Sequence, residues 1–161
     1  MDAGEYHVRM VRKPTKSGTR TQQPLNLDEE TEFLNVDLDI RSRGNLQPLV
    51  SAFGKNVFVL HVGGEGRDYC AHLEYAGRKF CGKDANWLIR HLIGLVQRLP
   101  QPARRRWDQA RSREFNIGIQ AGFKPRVYEL QLAPRTMDLL HSVKGRVVLT
   151  LYAPDTSKVK R

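Results

Sequence analysis

Between Leu34 and Arg41 every second residue is aliphatic. Leu34, Val36, Leu38 and Ile40 alternate with Asn35, Asp37, Asp39 and Arg41. Successive side chains of an extended chain point to opposite sides, so a period of two gathers the four aliphatics on one face. A strand of this kind belongs to a sheet with one buried face and one wet face. That favours antiparallel pairing over a parallel sheet covered on both sides.

Further strands are predicted at 57–62 and 69–76, joined by a Gly63–Asp68 hairpin loop containing Gly64 and Gly66. Symmetric closure of that loop pairs Val62 with Tyr69 and His61 with Cys70. Phe58, Leu60 and Val62 then share the core face with Tyr69, Ala71 and Leu73. Val57, Val59, His61, Cys70, His72 and Glu74 take the wet face. Alternation recurs at Phe115, Ile117, Ile119 and Ala121, and again at Tyr128, Leu130 and Leu132. The last strand spans 146–152.

Helical spacing fills the gaps. Asn45 caps a short helix over 46–53 that Gly54 ends. Asp84 or Asn86 opens the main core helix, which runs to about Leu99. Its stripe is Leu88, Leu92, Leu95, Val96 and Leu99, widened by Trp87, Ile89 and Ile93. Pro100 and Pro102 end it and begin a basic helix over 103–113, anchored by Trp107 and Ala110. Pro134 starts a fourth helix, to about 143.

The predicted fold class is α+β, a single layer of about six mostly antiparallel strands with helices on one face. It is related to the ferredoxin-like, split βαβ arrangement. A faint internal repeat relates 38–62 to 130–152, each reading strand, short helix, strand, and suggests a duplicated βαβ unit. Residues 13–26 are polar and rich in turn formers, so 1–31 is expected to be peripheral, 32–154 the single domain and 155–161 a short basic tail.

Charge narrows the function. The chain carries a net +10. The 1–31 segment balances five bases with five acids, and 32–154 holds 19 bases against 11 acids, so the excess lies in the folded body. Within 98–113, six arginines face Asp108 alone. Arg104, Arg105, Arg106, Arg111 and Arg113 are therefore the candidate contacts for an acidic protein or for nucleic-acid phosphates. The plainer reading of the same residues is a solvated helix face.

The wet face offers a second candidate. His61, Cys70 and His72 are side chains of the types that bind zinc, with Cys81 as a fourth ligand if its loop folds back. They could equally supply a base and a nucleophile. They lack the tight spacing of established metal motifs, and ordinary wet-face residues explain them as well. No other cofactor is implied. The chain lacks nucleotide-binding glycine motifs, and no aromatic side chains occupy the wet positions Asn116, Gly118 and Gln120, where an RNA-recognition sheet carries stacking rings.

No apolar run has the roughly 18 residues of a membrane span. The opening Met1–Glu5 stretch lacks the basic and apolar regions of a secretory signal. Two cysteines suit a reducing compartment. The expectation is a small cytoplasmic interaction domain without catalysis. Phosphate-backbone binding by the arginine helix, and a metal or hydrolytic site on the wet face, are the alternatives.

Overall fold

The computed structural model describes residues 29–77 and 84–154. The chain runs β1 (Glu32–Ser42), α1 (Gln47–Phe53), a short 3-10 turn (Gly54–Asn56), β2 (Val57–Glu65) and β3 (Asp68–Tyr75). It continues through α2 (Ala85–Gln97), α3 (Gln101–Gln109), β4 (Ser112–Gln120), α4 (Pro134–Ser142) and β5 (Arg146–Tyr152). The strands form one sheet in the order β2-β3-β1-β4-β5. All neighbours are antiparallel except β4 and β5, which are parallel.

The fold is therefore α+β, as the alternation of β1 requires. The first four strands carry the split βαβ pattern. β1 and β2 both run against β3, so they are parallel to each other with β3 between them. β3 and β4 both run against β1, so they too form a split pair. The two βαβ units interleave, and α4 with β5 extends one edge. The repeat over 130–152 thus matches only in its helix and final strand.

The helices lie on one side. Val36, Leu38, Ile40, Ala71, Leu73, Phe115, Ile117 and Ile119 from the sheet join Leu49, Phe53, Leu88, Ile89, Leu92, Ile93, Val96, Trp107 and Leu140 in one buried cluster. Asp84 caps α2 by accepting the Trp87 N–H at 2.7 Å, which satisfies a donor that the first helical turn leaves over. Leu95 and Leu99 are only partly buried, so the α2 stripe centres on Ile89, Leu92 and Val96. Gly145, just before β5, has no room for a side chain: a Cβ there would lie 2.6 Å from the Phe115 ring.

Several expectations are corrected. Among the described residues the sheet has five strands, because 128–132 is irregular. Leu130 and Leu132 still pack on the core. The backbone there is held by a side chain, with Asn86 donating to the Gln131 carbonyl and accepting from the Ala133 N–H, both at 2.8 Å.

The hairpin is tighter than expected. β2 continues through Gly63 and Gly64, the turn is Gly66-Arg67, and Val62 pairs with Ala71 and His61 with His72. A bulge between Val59 and His61 shifts the register, so side chains before it swap faces relative to strict alternation. Val57 is buried and Phe58 is 60% exposed, the reverse of the expected assignment, and Leu60 is also exposed. A second irregularity, between Phe33 and Asn35, leaves Leu34 at the surface while Phe33 packs on the core.

Finally, α3 ends at Gln109, so Arg111 and Arg113 lie beyond it, with Arg113 in β4. Residues 1–28 and 155–161, which hold most of the expected peripheral segment and the tail, lie outside the described residues, as does Cys81. Glu29 to Thr31 are tied to the turn after β4, with Glu29 accepting the Phe123 N–H at 2.7 Å and Thr31 accepting the Gly122 N–H at 3.0 Å.

Candidate anion-binding cleft

The five arginines singled out in the sequence meet different fates. Arg113 is 7% exposed. Its guanidinium donates to the carbonyls of Trp107 at 2.8 Å, Asp108 at 2.7 Å and Ala110 at 2.9 Å. All three lie at the C-terminal end of α3, where helical donors run out, and Trp107 also accepts the Ala110 N–H at 3.1 Å. The guanidinium lies 5.8 Å from the Trp107 ring. Burial pulls its pKa below the ordinary value, with nearby Asp108 opposing that shift. Arg113 therefore caps a helix from inside and presents nothing to a partner.

Arg104 pairs with Asp108 at 3.1 Å, one turn along α3. Arg111 grips both oxygens of Asp68, at 3.0 and 2.9 Å. Arg105 and Arg106 are exposed. Arg106 donates to the Asn45 carbonyl at 3.2 Å, which ties α3 to the loop after β1.

That tie defines a cleft of about 410 Å³ lined by Ser42, Arg43, Gly44, Asn45, Leu46, Arg106, Gln109 and Arg111. Its floor is held by local bonds: the Ser42 hydroxyl accepts from the Gly44 N–H at 3.1 Å, and Asn45 accepts from the Gln47 N–H at 2.8 Å. The Arg111 N–H bonds the Arg41 carbonyl at 2.7 Å and fixes the opposite wall. Three arginines thus line one concavity, Arg111 with its guanidinium on Asp68 and Arg106 with its own on the Asn45 carbonyl. Such planar donor forks match carboxylates and phosphates in bidentate fashion. Arg43 was the contributor missed in the sequence. It sits 63 residues before Arg106, and the packing of α1 against α3 with the Arg106–Asn45 bond brings them together.

The wet face of the sheet carries the other candidate. His61 and His72 are cross-strand partners with ring centroids 5.8 Å apart. His72 Nδ1 lies 2.8 Å from Asp39. Cys70 shares this face by register with Arg41 and Gly63, but it is fully buried. The His61 ring leans over Gly63, within 3.3 Å of where a Cβ would stand. Among the described residues, no group of three or more His, Cys, Asp or Glu side chains is arranged to hold a metal ion.

Along the same face Asn35 donates to Asp37 at 3.0 Å and to Glu74 at 3.3 Å. Burial, and then the nearby Asp39 and Glu74 charges, push the Asp37 carboxyl up to about 6, against smaller opposing effects from His72 and Asn35. Sequence alternation placed these carboxylates on one face, but it gave no sign that they crowd.

No helix among the described residues is long and apolar enough to cross a membrane. No family model, curated protein or solved structure matches the chain.

Proposed function

We propose that the protein is a small non-catalytic binding domain that docks an acidic protein partner in the cleft between the β1–α1 loop and α3. The observation that carries this reading is that Arg43, Arg106 and Arg111 line one concavity. Among its lining residues there is no His, Cys, Lys or carboxylate to act as base or nucleophile. Among the described residues the acid paired with one of its arginines is Asp68, so the cleft keeps positive character that a partner's carboxylates would complete. A cytoplasmic setting belongs to the same proposal and rests on a chain with only two cysteines.

Nucleic-acid binding is the second reading, favoured by the net +10 and by exposed Arg105 and Arg106. A backbone-tracking surface needs a run of unengaged cations. Here the run is interrupted, because Arg113 is enclosed and Arg104 holds Asp108. A metal or hydrolytic site at His61, Cys70 and His72 is supported least, since Cys70 is fully buried.

The test compares two double variants of equal charge, Arg43→Gln with Arg106→Gln, and Arg126→Gln with Arg135→Gln. Binding of a polyglutamate peptide and of duplex DNA is measured across a salt series. The cleft variant is expected to lose at least about tenfold in peptide affinity, the equivalent of one charge-assisted contact, while the control keeps it. Equal losses in both variants would overturn the cleft. Tighter binding of DNA than of peptide, with a steep salt slope, would establish the nucleic-acid reading instead.

A further inference from the structure

Two strands close the sheet, β2 on one side and β5 on the other. An edge strand leaves half of its N–H and C=O groups unpaired, and proteins blunt such edges with bulges, charges or proline. β2 is blunted by the bulge at Leu60 and by Gly63 and Gly64. β5 is not. All seven of its residues keep one register with β4, from Glu114↔Arg146 to Gln120↔Tyr152. It contains no proline, and its single charge, Arg146, is paired with Glu114.

The side chains of β5 leave apolar surface open. Val147, Leu149 and Leu151 share the helix side of the sheet with Phe115, Ile117 and Ile119 by register. Yet Leu149 is 59% and Leu151 64% exposed, whereas their β4 partners are buried. Three aliphatics at alternate positions on a straight, open, neutral edge are what a further strand would cover.

The order of residues in β5 indicates which strand. Read outward from Leu149, Val148 matches Thr150 in shape, Val147 matches Leu151 in character, and Arg146 is balanced by the aromatic ring of Tyr152. A two-fold contact requires a patch to fit itself, residue i meeting j while j meets i. An unlike partner imposes no such symmetry. We propose that β5 pairs antiparallel with β5 of a second copy, centred on Leu149, to join two five-stranded sheets into one of ten strands.

In that pairing Leu149 meets its own copy on the axis. Val147 meets Leu151 on either side, which continues the apolar stripe across the interface. Each Arg146 lies opposite a Tyr152 ring, a favourable cation–aromatic pairing, and no like charges oppose each other. The cleft lined by Arg43, Arg106 and Arg111 takes none of its residues from β5, so this interface stands or falls separately from the proposed acidic-partner site.

Sedimentation equilibrium of the full chain tests it, with Leu149→Lys and Leu149→Glu as variants. The expected mass is twice 18.5 kDa. Each variant alone opposes like charges on the axis and should raise the Kd by about 100-fold or more. The two variants mixed oppose an ammonium and a carboxylate and should recover the dimer. Circular dichroism should stay unchanged, because Leu149 is exposed in the single chain. The proposal is overturned by a monomer at concentrations up to about 1 mM, the weak end of specific association. Dimers persisting in both single variants, or a mixture that stays monomeric, would also overturn it.

Discussion

Arg113 and Asp37 are both charged side chains drawn away from water, and the protein treats them in opposite ways. At the α3–β4 junction the guanidinium donates to three carbonyls gathered at the helix end, so the charge meets complementary partners. On the outer face of the sheet the Asp37 carboxylate is hemmed in by Asp39 and Glu74, and Asn35 is a donor that it shares with Glu74. A buried charge with complementary partners holds structure together. A half-buried charge among like charges strains it, and the strain appears as a raised pKa.

The sharpest way to break this contrast is Arg113→Gln. The shorter amide cannot span the three carbonyls; Trp107 keeps the Ala110 N–H, and a buried acceptor left without any donor costs about 1–3 kcal/mol. The variant should lose about 3 kcal/mol in urea unfolding, in the range for breaking a buried charged network. A loss under about 1 kcal/mol would place Arg113 among the surface arginines after all.

Asp37→Asn should have the opposite sign. The native carboxyl titrates near 6 against an ordinary value of 3.8, so between those values the folded state binds more protons than the unfolded chain. Stability from this group is present below about pH 4 and is lost as pH rises through 6. Asparagine keeps the bond from Asn35 and removes the charge. With solvent screening of a half-exposed site, the gain at pH 7.5 should be about 1 kcal/mol, and the slope of stability between pH 4 and 6 should flatten. A variant less stable than the parent at pH 7.5 would show that the carboxylate has a favourable partner on that face.

The same two regions show what could be read from the sequence. The outer face was legible, because β1 and β3 alternate cleanly and parity alone places Asp37, Asp39, His72 and Glu74 together. β2 was not. Val57-Phe58-Val59-Leu60 is apolar throughout, so no alternation marks its faces, and a single-residue bulge reverses them. The arginine segment misled for another reason. Helical spacing continues past Gln109 on paper, but Ala110 leaves the helix and Arg113 turns back to cap it. An inward arginine and an outward one have the same composition, and only the carbonyl geometry separates them. The cleft was illegible because its walls, Arg43 and Arg106, come from distant parts of the chain. The 128–132 segment alternates like a strand, yet its backbone partner is the Asn86 amide, which no periodicity announces.

The smallest effect belongs to Arg104, which joins the two kinds of arginine. It pairs with Asp108 on the exposed side of α3, and its charge also bears on Arg113, where it opposes the influence of Asp108. Arg104→Gln therefore removes an exposed i,i+4 pair worth about 0.3–0.5 kcal/mol. It also relieves a repulsion on the buried guanidinium, and it leaves Asp108 to act on Arg113 alone. The two changes have opposite signs, so the net shift in urea midpoint should be smaller than the lost pair alone would give. In the Arg113→Gln background the relief vanishes and only the lost pair remains, so Arg104→Gln should then cost its full few tenths of a kcal/mol. A double-mutant cycle reads that difference directly. A coupling of zero would mean that the two arginines do not sense each other. It would also mean that the end of α3 is held by its carbonyl bonds alone.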